Sequence, residues 1–304
     1  MAASISNWIP IEWDENTLTR LNQRSAIEGY ARGYAMSTDQ KRVLRSLGMS
    51  VGVGSTYSSD SSTNDYVLLD SVKFTGQFIV DEDDLADADS VVDTLSTKAA
   101  DWSKTYAVKF DNACVAVTGT GDGSSGTPFN SIYKTVRSNG VTGESYTADD
   151  NYVNYNGQAS ATYASLSSVV AKVEQGLYWN PANSLVIAHP AFRDVFRNTK
   201  DTNNMPVFIQ GPAGTPDSLF GIPVAWSLGA KTSPIATEAP AGNPVLVVVG
   251  DTDALMRGDR TGPEAQISPS TAHDSTDETA LKLKVRKAFE VSHPKAVAVL
   301  EKTA

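Results

Sequence analysis

Apolar residues recur at helical spacing over one long stretch of the chain. Val92, Leu95, Ala99, Trp102, Tyr106, Phe110, Ala113 and Val117 stand three or four apart and define one continuous face. Ser90, with Asp93 three residues on, suits the start as a capping box, and Gly119 suits the stop. The spacing predicts a helix over 90–117, roughly 40 Å long at about 1.5 Å per residue, a structural spine. A second helix is predicted over 161–178, with Leu166, Val169, Val170, Val173 and Leu177 facing inward and Asn180-Pro181 ending it. A third opens at His189-Pro190, with Phe192, Val195 and Phe196 on one side. Near the start of the chain, Asp14 caps a short helix carrying Leu18, Leu21 and Ala26 and reaching about Tyr34.

Other segments read as strands. Ser184-Leu185-Val186-Ile187-Ala188 reads as a short buried strand, and 245–249 is a continuous apolar run, again the pattern of a buried strand. Leu281, Leu283 and Val285 alternate with Lys282, Lys284 and Arg286, which predicts a strand with one wet face, and 296–300 form a last strand. Residues 36–80 predict a long hairpin with few core positions of its own. Lys41 to Val53 alternates weakly, Ser55 to Asp65 holds no aliphatic residue and forms the tip, and Val72 to Val80 returns as a strand. Residues 118–130, rich in Gly and Ser, mark a boundary and a flexible hinge. The mixture is an α+β chain without internal repeats.

Composition narrows the function. The chain has 304 residues and a formal net charge of −10. That balance argues against tight general binding of nucleic acid, which needs clustered Lys and Arg. The charge is uneven: Met49 to Asp93 holds ten acids against Lys73 alone, a balance of −9, while Thr279 to Ala304 holds six bases against two acids, a balance of +4. The two runs are either solvated faces or surfaces that meet between subunits. The single cysteine, Cys114, leaves no internal disulfide and no multi-cysteine zinc site. No run of about 18 apolar residues offers a membrane span, and the first residues lack the pattern of a secretory signal, so cytoplasmic synthesis is expected. Trp8 and Trp13 flank Ile9-Pro10-Ile11 near the start; tryptophans in such a segment are expected to dock on something.

Candidate chemistry is sparse. The three histidines are His189, His273 and His293; two of them adjoin prolines at element boundaries and read as structural. No HExxH or GxSxG pattern occurs. Gly119-Thr120-Gly121-Asp122-Gly123 follows a helix, whereas nucleotide loops follow a strand and open a helix. Asp81-Glu82-Asp83-Asp84 offers oxygens for a hard cation but also stands before the long helix, where acids favour the positive dipole end. Asp251-Thr252-Asp253 and Arg257-Gly258-Asp259 read as turns. No catalytic residue, metal site or cofactor site is assigned, and no enzyme is expected.

The order of elements and several phrases resemble the major capsid proteins of tailed bacteriophages, with the Hong Kong 97-like fold. The phrases are Leu219-Phe220-Gly221-Ile222-Pro223-Val224, the strand 245–250 with Asp251, Leu255-Met256-Arg257-Gly258-Asp259-Arg260, and the closing stretch from Leu281 through Arg286 and Pro294 to Leu300. Upstream, Ile9-Pro10-Ile11, the hairpin, the acidic run and the long helix stand in the expected order. The ordered set carries the resemblance over nearly the whole chain. The stretch 125–160 does not align and reads as a variable insertion.

The resemblance implies an N-terminal arm over 1–35 and an extended loop over 36–81. It implies a peripheral domain over 82–119 and 257–292, and an axial domain over 120–256 and 293–304. It implies pentamers and hexamers of an icosahedral head around double-stranded DNA held by weak non-specific contact, assembled in the host bacterial cytoplasm. Implied partners are a separate scaffolding protein, portal and maturation factors, and a possible decoration protein, with no membrane. Some members crosslink through a Lys, an Asn and a catalytic Glu; here Lys284 stands where the acid is expected, so no crosslink is expected. Candidate inter-subunit contacts are Trp8, Trp13, Asp60, Asp65, Asp70, Lys282, Lys284 and Lys287, the acids pairing with the lysines of the next subunit. The alternatives are an encapsulin-like nanocompartment shell and, from another class, a soluble enzyme or sugar-binding module.

Overall fold

The computed structural model describes residues 25–46, 48–49, 51–55, 57, 59, 65–81, 83, 94–140, 145–155, 163–200, 203–205, 208–209, 217–269 and 278–303. Trp8, Trp13, Asp60, most of the predicted hairpin tip and the caps expected at Ser90 and Asp93 lie outside them.

The described elements begin with α1 (Ala26–Tyr30), β1 (Arg32–Ala35), β2 (Gln40–Arg45), β3 (Asp65–Asp70), β4 (Val72–Asp81) and α2 (Thr94–Val115). Next come α3 (Ile132–Val136), β5 (Tyr152–Tyr155), α4 (Tyr163–Glu174), β6 (Leu185–Ala188) and α5 (Phe192–Asn198). The chain closes with β7 (Phe208–Ile209), β8 (Ser218–Leu219), β9 (Ile222–Trp226), β10 (Val245–Val249), β11 (Leu255–Pro269), β12 (Glu278–Val291) and β13 (Val297–Lys302). A four-stranded sheet runs β1-β11-β12-β4, a seven-stranded sheet runs β5-β13-β10-β6-β9-β8-β7, and β2 pairs with β3 alone.

The chain divides into two units. One comprises Met1–Asn22, Thr75–Lys104 and Ala265–Leu283. Within it, Gly76 of β4 leaves room for the indole of Trp102 on α2; a Cβ there would overlap the ring. Lys98 lies over the Phe78 ring at 5.3 Å.

The other unit comprises Gln23–Phe74, Thr105–Glu264 and Lys284–Ala304. Its core is the seven-stranded sheet with α4 and α5. Leu166, Val169 and Val173 of α4 and Phe192 and Phe196 of α5 pack with Val186, Leu246, Val248 and Leu300 of the sheet. Strands β6 and β10 are buried at every position, as continuous apolar runs require. A ladder of rings, Phe74, Tyr106, Phe110, Phe129 and Phe289, joins α2 to neighbouring strands at centroid spacings of 5.6 to 6.4 Å.

Several expectations change. The short helix expected to reach Tyr34 stops at Tyr30, because Arg32–Ala35 pairs in parallel with Met256–Asp259 as β1. Leu177, expected inward, is 97% exposed: α4 ends at Glu174, and the turn through Gly176 removes Leu177 from the helix face. Arg257-Gly258-Asp259 lies inside β11 rather than in a turn. Gly258 is needed there because a Cβ would overlap the Met36 sulfur and the Ala288 methyl. The expected hinge at 118–130 is tied together: Asp122 accepts from the Thr127 hydroxyl at 2.7 Å and the Ser124 amide at 2.9 Å. Those bonds hold its carboxyl down at about 2. The unaligned stretch 125–160 contributes β5, which pairs with β13 at the edge of the large sheet.

Candidate functional site

The β2–β3 hairpin shows two unlike faces, as alternation along a strand requires. Val67 and Leu69, with Val43 beside them, turn toward Met36, Met256 and Ala288. On the opposite face Leu44 is 89% exposed, and Tyr66 and Leu68 are partly exposed beside it. Arg42 covers the Tyr66 ring at 4.6 Å. At the root, the buried Arg45 guanidinium donates to the Ser292 carbonyl and pairs with Asp65 Oδ2 at 3.0 Å. The Tyr66 amide hydrogen bond, and then Arg45, lowers the Asp65 carboxyl below its ordinary value. Asp70 accepts from Gln40 at 3.3 Å.

Beside this root lies a cleft of about 230 Å³ lined by Arg45, Asn130, Lys134, Ser138, Asn139 and Glu290 among others. Burial pushes the Glu290 carboxyl up to about 7, against the pull of the Val291 amide, Asn130 and Arg45.

The lysines of β12 differ from one another. Lys282 is exposed. Lys284 pairs with Glu264 at 2.9 Å across partly exposed surface. Lys287 is buried, and its Nζ bonds Asp259 at 2.6 Å and Glu28 at 3.2 Å. Arg257 shares Asp259, and the Tyr106 hydroxyl donates to Glu28 at 3.1 Å. This network fastens α1 to β11, β12 and α2. The reading of Lys287 as a surface contact is therefore corrected. Two residues beyond Val285, it stands on the inward side of the alternation, and its charge is met within its own subunit. Of the eight candidate contacts, Asp65, Asp70, Lys284 and Lys287 bond inside the subunit and are not brought together with one another. Lys282 is free to face outward, and Trp8, Trp13 and Asp60 lie outside the described residues. The outward apolar face of the hairpin was missed in the sequence, although Arg42-Val43-Leu44-Arg45 shows the alternation that produces it.

Among the described residues no three His, Cys, Asp or Glu side chains gather to hold a metal ion. Among the same residues no helix is long and apolar enough to cross a membrane. His189 is held below its ordinary value, to about 4, by burial and then by Lys231. What the surface offers is area for association: an apolar strand face and a basic strand.

Residues 6–302 match the phage capsid family. The chain belongs to that family. A solved chain of Mycobacterium phage Bobi shares its fold with a TM-score of 0.72 at 16% identity, covering 99% of this chain and 97% of the other. The capsid of the native GTA particle, computed with C5 symmetry, gives 0.71 at 16% identity over 98% and 96%. Mycobacterium phage Ogopogo gives 0.67 at 14% over the whole of both chains. No curated protein sequence matches the chain. This is a capsid subunit with the Hong Kong 97-like fold, and its place is the shell of a virion.

Proposed function

We propose that the protein builds the icosahedral head of a tailed phage as pentamers and hexamers enclosing double-stranded DNA, and that it catalyses no reaction. The observation that carries this reading is a capsid-family chain whose β2–β3 hairpin turns Leu44, Tyr66 and Leu68 away from its own core. The proposed parts are an arm over 1–35, an extended loop over 36–81, a peripheral domain over 82–119 with 257–292, and an axial domain over 120–256 with 293–304. The loop of one subunit lies across the peripheral domain of the next, so that its apolar face is covered there. The acidic run 49–93 then faces Lys282 and Lys284 of the neighbour, while Lys287 works within its own subunit. Trp8 and Trp13 dock on a neighbour. Assembly takes place in the host cytoplasm with a scaffolding protein, a portal and maturation factors. Subunits are held without covalent crosslinks, because Lys284 stands where an acid is expected.

The test is expression with the neighbouring phage genes, followed by sedimentation and electron microscopy. Closed shells whose boiled protein runs as one band near 32.4 kDa are expected. Only monomer under these conditions refutes the shell, and a ladder of covalent oligomers refutes the crosslinking part. In the same assay, changing Lys282 and Lys284 to Glu is expected to lower shell yield at low salt. Each exposed pair contributes roughly 0–1 kcal/mol, repeated at every contact.

A further inference from the structure

Asp111 on α2 is wholly buried, and no basic side chain is hydrogen-bonded to it. Its Oδ1 accepts from the Ser25 hydroxyl at 2.5 Å and the Ile27 amide at 3.3 Å. Its Oδ2 accepts from the Ala26 amide at 2.9 Å and the Ser227 hydroxyl at 2.6 Å. Burial raises the carboxyl above its ordinary value, and the hydrogen bonds from Ser227, Ser25 and the two amides oppose that rise.

The two hydroxyls are used alike. Ser25 Oγ accepts from the Glu28 amide at 3.0 Å, which caps α1, and gives its one proton to Asp111. Ser227 Oγ accepts from the Gly229 amide at 3.1 Å, which shapes the turn after β9, and gives its one proton to the same carboxyl. Asn112, the next residue on α2, donates to the carbonyls of Gly229 at 2.9 Å and Lys231 at 2.8 Å. Gly229 is obligatory here, since a Cβ would overlap the Asn112 amide, the Val108 carbonyl and the Asp111 Cβ. The loop is thus seated against α2, with Leu228 turned partly to solvent.

We propose that Asp111 is a positioning residue that couples the Ser227–Lys231 loop to the root of the N-terminal segment at Ser25–Ile27 through a single carboxyl group, whose Oδ2 is shared by the Ser227 hydroxyl and the Ala26 amide while Oδ1 holds Ser25 and Ile27. The physical reason is that a buried acceptor deprived of a donor is costly. When the Ser227 hydroxyl leaves, Oδ2 keeps only the Ala26 amide. The carboxyl, held on one side only, is free to turn toward the remaining donors, and turning shifts Oδ1 against Ser25. The reverse holds when Ser25 leaves. Anything that displaces the loop through Leu228 therefore loosens Ser25–Ile27, and the effect is reciprocal. The inference is read within one subunit and does not depend on the shell proposal.

The experiment is hydrogen exchange on the full chain. Ser227→Ala is expected to speed exchange at Ala26, Ile27 and Glu28 by about tenfold, the loss of one hydrogen bond to a buried acceptor. Ser25→Ala is expected to do the same at Gly229 and Ala230. The double variant is expected to fall short of the product of the two, because both act on one group. Asp111→Asn keeps the side-chain size and is expected to loosen both segments in one step. Acceleration confined to the substituted segment overturns the coupling. Equal loss of protection in β6 and β10 in all the variants also overturns it, since Asp111 would then support the whole fold rather than link two segments.

Discussion

The seven-stranded sheet and the β2–β3 hairpin use the same kinds of side chain to opposite ends. In the sheet, β6 and β10 are buried at every position, and Phe192 and Phe196 close one side of it. In the hairpin, Val67 and Leu69 are buried while Leu44, between Val43 and Arg45, stands in solvent. The sheet's apolar surface is satisfied inside one chain. The hairpin's is half satisfied, and an isolated two-stranded ribbon is marginal in water. The difference separates two jobs. The sheet gives the subunit its stability, whereas the outer face of the hairpin adds little to it and is available to a neighbour.

The largest effect is expected in the sheet. Phe196 is fully buried between α5 and the sheet, with Phe192 at 5.9 Å and Trp226 at 5.8 Å. Phe196→Ala is expected to destabilise the subunit by about 3–5 kcal/mol, the transfer and cavity cost of a buried ring. Chemical denaturation checks it. A loss below about 1 kcal/mol would break the comparison, because the core would then not be the source of stability.

A smaller effect is expected where the hairpin root meets the body. Glu290 is half-buried beside Arg45, with Asn130 and Lys134 lining the same cleft, and its carboxyl is raised from 4.5 to about 7. The folded state therefore holds this proton more tightly than the unfolded chain does. Below about pH 4.5 both states are protonated and the group costs nothing. As pH rises toward about 7 the unfolded chain ionises first, so stability falls. The fall is on the order of 3 kcal/mol if this group acts alone. Denaturation midpoints from about pH 4.5 to about pH 8 measure it, and Glu290→Gln is expected to flatten the profile over that window. An unchanged profile in the variant would assign the pH dependence elsewhere.

Much of this division was legible in the sequence. The apolar run at 245–249 and the short strand pattern at 184–188 located the sheet's centre, and the three-four spacing from Ala99 to Ala113 located α2. The assignments that failed depend on partners distant in the chain. Arg32–Ala35 is a strand because β11 lies beside it, not through any pattern of its own. Lys287 carries the same charge as Lys282 but shares the inward phase of Val285, and Asp259 and Glu28, far away in sequence, are what meet its charge there. The candidate surface was legible as a region and not as residues: the acidic and basic runs were visible, but Asp65 is occupied by Arg45 and Lys284 by Glu264. Composition counts charges, and it takes register to say which of them are already paired.

The smallest effect on the subunit is expected from the hairpin's outer face, and it tests the comparison most directly. Leu44, Tyr66 and Leu68 sit on one side of a two-stranded ribbon; Leu44 is almost fully exposed and has little apolar area to lose, while Tyr66 and Leu68 are partly covered by their own subunit. Changing all three to Ser is expected to cost about 0.5 kcal/mol at Leu44 and about 1 kcal/mol at each of Tyr66 and Leu68, well below the loss at Phe196. The inner face with Val67 and Leu69 is untouched, so the ribbon keeps its seat on Met36 and Met256. If a neighbour covers the outer face, the same three changes remove apolar contact at every copy in the shell. Each buried side chain of this size contributes roughly 1.5–3 kcal/mol when taken out of water. Shell yield by sedimentation is therefore expected to collapse while circular dichroism stays near that of the parent chain and the denaturation midpoint falls only by those small amounts. Normal yield from the triple variant would show that the outer face meets no partner, and a large loss of subunit stability would show that it belongs to the core.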